Sequence, residues 1–228
     1  MGTQIQSLET FVNLLQREAA EFLVNSKLIL NNVTIQPTEI EVYYFQKGEF
    51  EDKSVHRNAL QKNNKSHFYI HRWGEEKQDS YKGGNRAGID FVLSDQENKY
   101  YTYLIRSAII NHKPIVGPNK VLNAIISECN ISKEDIENTV VEIYSEKNPY
   151  DVGFSQRINL GKTAEEYINL PLRAVLCDDV WFITNKYRYK EQVIIDIISN
   201  KKMAKEDAFE FARKRLGYIP SDLKNKYN

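Results

Sequence analysis

The stretch Thr38-Glu39-Ile40-Glu41-Val42-Tyr43-Tyr44-Phe45 decides the fold class of this chain. Its apolar members are β-branched or aromatic, and polarity alternates with the period of a strand rather than of a helix. Successive side chains of a strand point to opposite faces. Ile40, Val42 and Tyr44 therefore share an ordinary core face, while Glu39, Glu41 and Tyr43 share the other. On that second face two carboxylates flank a tyrosine, which suits either a solvated surface or the wall of a polar pocket.

Working outward, residues 38–46, 67–71, 88–94, 100–110, 139–145, 171–177 and 179–185 read as strands rich in Tyr, Val, Ile and Phe. Before them, residues 4–24 carry an apolar stripe of Leu8, Phe11, Val12, Leu15, Phe22 and Leu23 at helical spacing. Gly117-Pro118 starts a helix over about 118–129. Two more helices are expected near 190–200 and 204–216, the second stopped by Gly217. Gly74 to Gly88, with Gly83-Gly84 inside it, reads as a long loop. Strands grouped in the middle and helices at the ends predict an α+β fold. The expectation is a single domain, residues 1–186, with a largely antiparallel sheet, flanking helices and a C-terminal helical extension, residues 187–228, packed on it.

The 228 residues can bury a real core, and 41% hydrophobic with 27% charged residues is the balance of a soluble globular protein. No apolar run approaches the roughly 18–20 residues of a membrane span, and the first residues lack the pattern of a signal peptide. Cytoplasmic location and no membrane partner are the expectations. Cys129 and Cys177 cannot build a disulfide framework, and four scattered histidines show no metal-ligand spacing, so no metal or other cofactor is expected. The net charge of +0 hides an asymmetry: residues 186–228 hold eleven Lys and Arg against six Asp and Glu, a net of +5. That excess is either the solvated face of docked amphipathic helices or a phosphate-contacting tail. The apolar stripe Val193, Ile194, Ile197 and Ile198, with Phe209 and Leu216, favours docking.

Several segments, in order, carry a resemblance to one family. Glu39-Ile40-Glu41-Val42-Tyr43 resembles the Glu-Thr-Glu-Ala-Tyr strand of the 3-methyladenine (alkylpurine) DNA glycosylases. Glu51-Asp52-Lys53-Ser54-Val55-His56 is similar to their acidic turn with a downstream His, and Phe68 to Gly74 to their aromatic strand ending in Tyr-Gly. Leu104-Ile105-Arg106-Ser107-Ala108 resembles the Leu-Ile-Arg-Ala-Leu strand, and Gly117-Pro118-Asn119-Lys120-Val121-Leu122 the Gly-Pro-Gly-Lys-Leu helix start. Arg157-Ile158-Asn159-Leu160-Gly161-Lys162, Pro171-Leu172-Arg173 and Trp181 resemble the family's C-terminal run. The likeness spans roughly residues 18–184 and leaves residues 187–228 outside it.

The resemblance implies a monofunctional N-glycosylase: a DNA-binding, base-flipping hydrolase of base excision repair that acts on a modified purine. Such an enzyme flips a nucleotide, holds its base between aromatic faces and delivers water to the sugar. By resemblance Glu41 activates that water, supported by Arg106, while Tyr43 and His56 stack on the base. Tyr69 lies on the aromatic strand, Trp73 takes the place of the wedging tyrosine, and Asp90 replaces the Asn that guards the pocket. Asn119 and Lys120 are candidate anion-binding residues at a helix start. The implied partner is nucleic acid, DNA first, or a purine nucleotide, and the implied state is a monomer.

The residues also admit plainer readings. Glu41 and Tyr43 could be a surface pair, His56 a polar turn residue, Arg106 a counter-charge for buried carboxylates, and Lys120 a solvated lysine. The family's Gly/Arg-rich segment between His and aromatic strand is missing here, and a mixed-charge insertion, Glu75 to Arg86, follows Gly74. Two alternatives therefore stand beside the glycosylase: a glycosidase acting on single-stranded or free nucleotides, and a non-catalytic nucleotide- or nucleic-acid-binding module of the same fold.

Overall fold

Strand β2, Val33–Gln46, runs through the centre of the sheet and pairs with four of the other described strands. The computed structural model describes residues 8–71, 88–158, 160, 165–177 and 190–227. Helix α1, Leu8–Asn25, leads into β1, Ser26–Leu30, which turns back into β2. After β2 come β3 (Phe50–Glu51), α2 (Leu60–Asn63), β4 (Phe68–His71), β5 (Gly88–Val92), β6 (Lys99–Ile110) and β7 (Lys113–Val116). Helices α3 (Pro118–Cys129) and α4 (Lys133–Ile136) precede β8 (Glu142–Ser145), β9 (Val152–Ser155), α5 (Glu165–Ile168) and β10 (Arg173–Leu176). The described chain closes with α6 (Lys190–Asn200), α7 (Lys205–Leu216) and α8 (Ser221–Tyr227).

The strands form one curled antiparallel sheet in the order β4-β5-β6-β2-β1-β8, and β2 bonds β10 further along its length. The chain is a single α+β domain with C-terminal helices. Pro37 sits in β2 between the residues that pair with β1 and those that pair with β10, and the register against β6 shifts between Pro37 and Ile40. A proline cannot donate to the ladder, so it belongs where a strand changes partners or bulges.

Helices α1 and α3 cover one face of the sheet. Their Phe11, Phe22, Val121 and Ile125 pack with Ile40, Val42, Tyr44, Tyr103 and Ile105, the face expected to be core. Gly117 caps α3 with φ of 105°, a backbone that favours glycine, and Pro118 follows at the first helical position. The C-terminal helices bury Val193, Ile194, Ile197 and Ile198 against Val175, Cys177, Ala208, Ala212 and Leu223. The apolar stripe of the extension is thus docked on β10, and a side chain at Gly153 of β9 would collide with Ile197. Among the described residues, no helix is long and apolar enough to cross a membrane. The expected helix over 4–24 appears as Leu8–Asn25, its first residues falling outside the described chain together with the expected strand at 179–185.

Candidate functional site

Antiparallel pairing puts partners on the same sheet face, so register alone assembles a row across five strands. Tyr69 pairs with Asp90, Asp90 with Leu104, Leu104 with Glu41, and Glu41 with Arg173. The neighbouring pair on this face is Tyr43 with Thr102. Every one of these side chains is buried, Glu41 at 0% and Glu39 at 2% exposure. The solvated-surface reading of Glu39, Glu41 and Tyr43 is thereby excluded.

Burying two carboxylates requires compensation, because an unpaired charge in a low-dielectric interior costs several kcal/mol. Arginines supply it. Arg106 sits at the irregularity opposite Glu39, bonding Glu39 through Nε at 3.1 Å and pairing with Glu41 through Nη1 at 3.2 Å. Arg173 clasps Glu39 from the other side, with Nε at 2.7 Å and Nη2 at 2.6 Å, and the Ser107 hydroxyl donates to Glu39 at 3.0 Å. Burial alone would weaken the Arg106 proton, but the Glu41 and Glu39 carboxylates outweigh it and hold the guanidinium charged. Asp196 of α6 lies near enough to Arg173 to feel its charge, although burial still raises its carboxyl above the usual range.

Among the described residues, Glu41 has three hydrogen-bonding neighbours. Oε1 accepts from the Ile158 peptide N–H at 2.9 Å beside the Arg106 contact, and Oε2 accepts from the Tyr43 hydroxyl at 3.1 Å. A carboxylate offers about four lone-pair positions, so about one remains for a further donor such as water. Burial, followed by the Glu41 charge, raises the Tyr43 hydroxyl well above its ordinary value, with Arg157 opposing. Tyr43 therefore stays a donor to Glu41 at neutral pH.

Asp90 is held by the Thr102 hydroxyl at 3.1 Å and contributes to the field that raises Tyr43, which places it beside the same tyrosine. His56, half-buried in the turn after β3, contacts the Tyr69 hydroxyl through Nδ1 at 3.1 Å. Glu41, Tyr43, Arg106, Asp90 and Tyr69 thus come to one face of the sheet, with His56 joined to them through Tyr69. Asn119 and Lys120 lie on the first turn of α3, the helix whose buried side packs on the opposite face. Lys120 is exposed, and Asn119 accepts a bond from Asn123. Trp73 lies outside the described residues. A cavity of about 680 Å³ opens elsewhere, between the start of α1, Phe154 and the end of α6, and none of the candidate residues lines it.

Sequence reasoning gave no role to Arg173 or to Arg157, yet both are buried among these carboxylates. For Arg173 the available signal was its apolar setting, Leu172-Arg173-Ala174-Val175, since a buried arginine demands a partner. Compared with known proteins, the chain matches no family model, and no curated protein is significantly similar to it.

Proposed function

We propose that this protein is a monofunctional N-glycosylase that releases a modified purine, with DNA as the first candidate carrier and Glu41 as the water-activating carboxylate. The observation that carries the reading is the Glu41–Arg106–Tyr43 constellation, with Asp90 and Tyr69 in the same register row as Glu41. As the bond from the sugar C1′ to the base nitrogen breaks, positive charge develops on the sugar. A carboxylate beside C1′ stabilises that charge and takes the proton of the attacking water. Arg106 supplies Glu41 with a counter-charge at 3.2 Å, and the Tyr43 hydroxyl and Ile158 N–H fix its orientation. Tyr43, Tyr69 and His56 supply the aromatic faces that a flipped base needs. Asp90, a pure acceptor when ionised, bears on which base edge is tolerated.

The same burial that supports an organised site also favours a second reading, a nucleotide-binding module in which Glu41 only orders the fold. The neutral net charge favours single-stranded or free nucleotides over a duplex as the carrier. One experiment separates these readings: base release from DNA containing hypoxanthine, ethenoadenine or 3-methyladenine, beside the same purines as free nucleosides, for the native chain and Glu41→Gln. Gln keeps the size, its oxygen can face Ile158 and Arg106, and its amide can donate to the Tyr43 hydroxyl, so the fold should survive. Release is expected to fall by about two to four orders of magnitude in the variant. No release by the native chain on any of these substrates, or equal release by the variant, would remove Glu41 from the chemistry.

A further inference from the structure

Glu41 and Tyr43 are gripped from a direction that the charge-balancing argument does not need. Arg157, in the segment after β9, is itself fully buried and forms an ion pair with Asp52 at 2.6 Å. The same guanidinium donates to the Val42 carbonyl at 3.1 Å, the Ser54 hydroxyl at 3.1 Å and the Tyr167 carbonyl at 3.2 Å. Its central carbon lies 5.0 Å from the centroid of the Tyr43 ring, over the ring face. One residue on, the Ile158 N–H binds Glu41. Asp52 in turn accepts from the Ser54 N–H and hydroxyl, closing the turn that leads to His56.

We propose that Arg157 is a positioning residue of the Glu41 site, fixing the plane of the Tyr43 ring and tying the turn that bears His56 to the strand that bears Glu41. The proposal rests on the glycosylase reading for its kinetic consequence but not for its geometry. A planar, forked cation suits the role: it stacks on an aromatic face while its nitrogens reach acceptors on several elements. Lysine could keep the charge opposite Asp52, yet it could neither stack as a plane nor span from Asp52 to the Tyr167 carbonyl. Groups that act on a reacting centre must sit within about 0.5 Å of the productive geometry. Displacement by about 1 Å can cost about a hundredfold in rate.

The test compares the native chain with Arg157→Lys and Asp52→Asn, using only temperatures at which a thermal melt shows each protein folded. Two readouts are taken: the ring resonances of ¹³C-labelled tyrosine, with Tyr43 assigned through Tyr43→Phe, and single-turnover base release alongside oligonucleotide affinity. Arg157→Lys is expected to move and broaden the Tyr43 resonance. It should also slow single-turnover release about ten- to a hundredfold while affinity changes less than about threefold. Asp52→Asn, which keeps an acceptor for Arg157, should show a weaker version of both effects. A merely structural role predicts a lower melting temperature with the resonance and the rate unchanged, and that result overturns the proposal. If the native chain releases no base from any substrate, the glycosylase reading falls, and the Tyr43 resonance alone decides the positioning role.

Discussion

The two faces of β2 have the same period and opposite chemistry. On one, Ile40, Val42 and Tyr44 lie under α1 and α3 in a continuous apolar core. On the other, Glu39, Glu41 and Tyr43 are just as deeply buried, but among Arg106, Arg157 and Arg173. Alternation tells which residues share a face; it does not tell whether that face is wet. The apolar face is stabilised by burial of hydrocarbon, which tolerates modest changes of shape. The polar face depends on each charge keeping its partner, and a lone survivor of a buried pair is far worse than two missing partners.

The comparison can be broken most severely at Arg173. Arg173→Met keeps a long side chain but removes the two shortest guanidinium contacts that the described residues make to Glu39, while Arg106 is shared with Glu41. A loss of about 3–5 kcal/mol is expected in chemical denaturation. A loss below about 1 kcal/mol would mean that water reaches Glu39 and that this face is not dry. On the apolar face, Ile40→Val removes one methyl group and should cost about 0.5–1.5 kcal/mol, with the proposed base release unchanged. A large fall in release with little loss of stability would mean that the faces are coupled through β2. The smallest effect is spectroscopic. Burial raises Tyr43 on the polar face, and burial followed by the Tyr103 hydroxyl raises Tyr101 on the apolar face. Burial also raises Tyr44 to about 12. Below the unfolded value near 10 both states keep their protons, and above it the unfolded chain alone gives them up. Stability should therefore fall as pH rises past about 10, and part of the tyrosinate absorbance should appear only as the protein unfolds. Smooth titration of all fourteen tyrosines without unfolding would show one of the faces open to solvent.

Much of this fold was legible because long strands and amphipathic helices announce themselves. β2, β6, α1, α3 and the two longer C-terminal helices match expected segments to within a few residues, β2 beginning earlier than its alternating core. The shorter strands β1 and β7 went unread, although each is joined to a longer strand by a two-residue turn. Asn31 and Asn32 have φ of 47° and 65°, and Asn111 and His112 have 45° and 67°, the left-handed pair that a tight hairpin turn requires. Asn-Asn was a usable signal; Asn-His was a weak one. At the site, Glu41, Tyr43 and Arg106 could be read from strand parity and resemblance. The grip of Arg157 could not, because its acceptors lie on β2, on the turn holding Asp52 and at Tyr167, and local spacing does not encode such contacts.

The Glu39–Arg173 bond joins residues 134 positions apart, and the helices that flank it come later still. During synthesis β2 leaves the ribosome long before its second counter-charge exists. Until β10 arrives, Glu39 lacks the clasp of Arg173, and Arg106 itself comes 67 residues after it. The central strand cannot settle into its final environment until β10 has been made. Assembly of this face is therefore a late step, slow by the measure of its sequence separation.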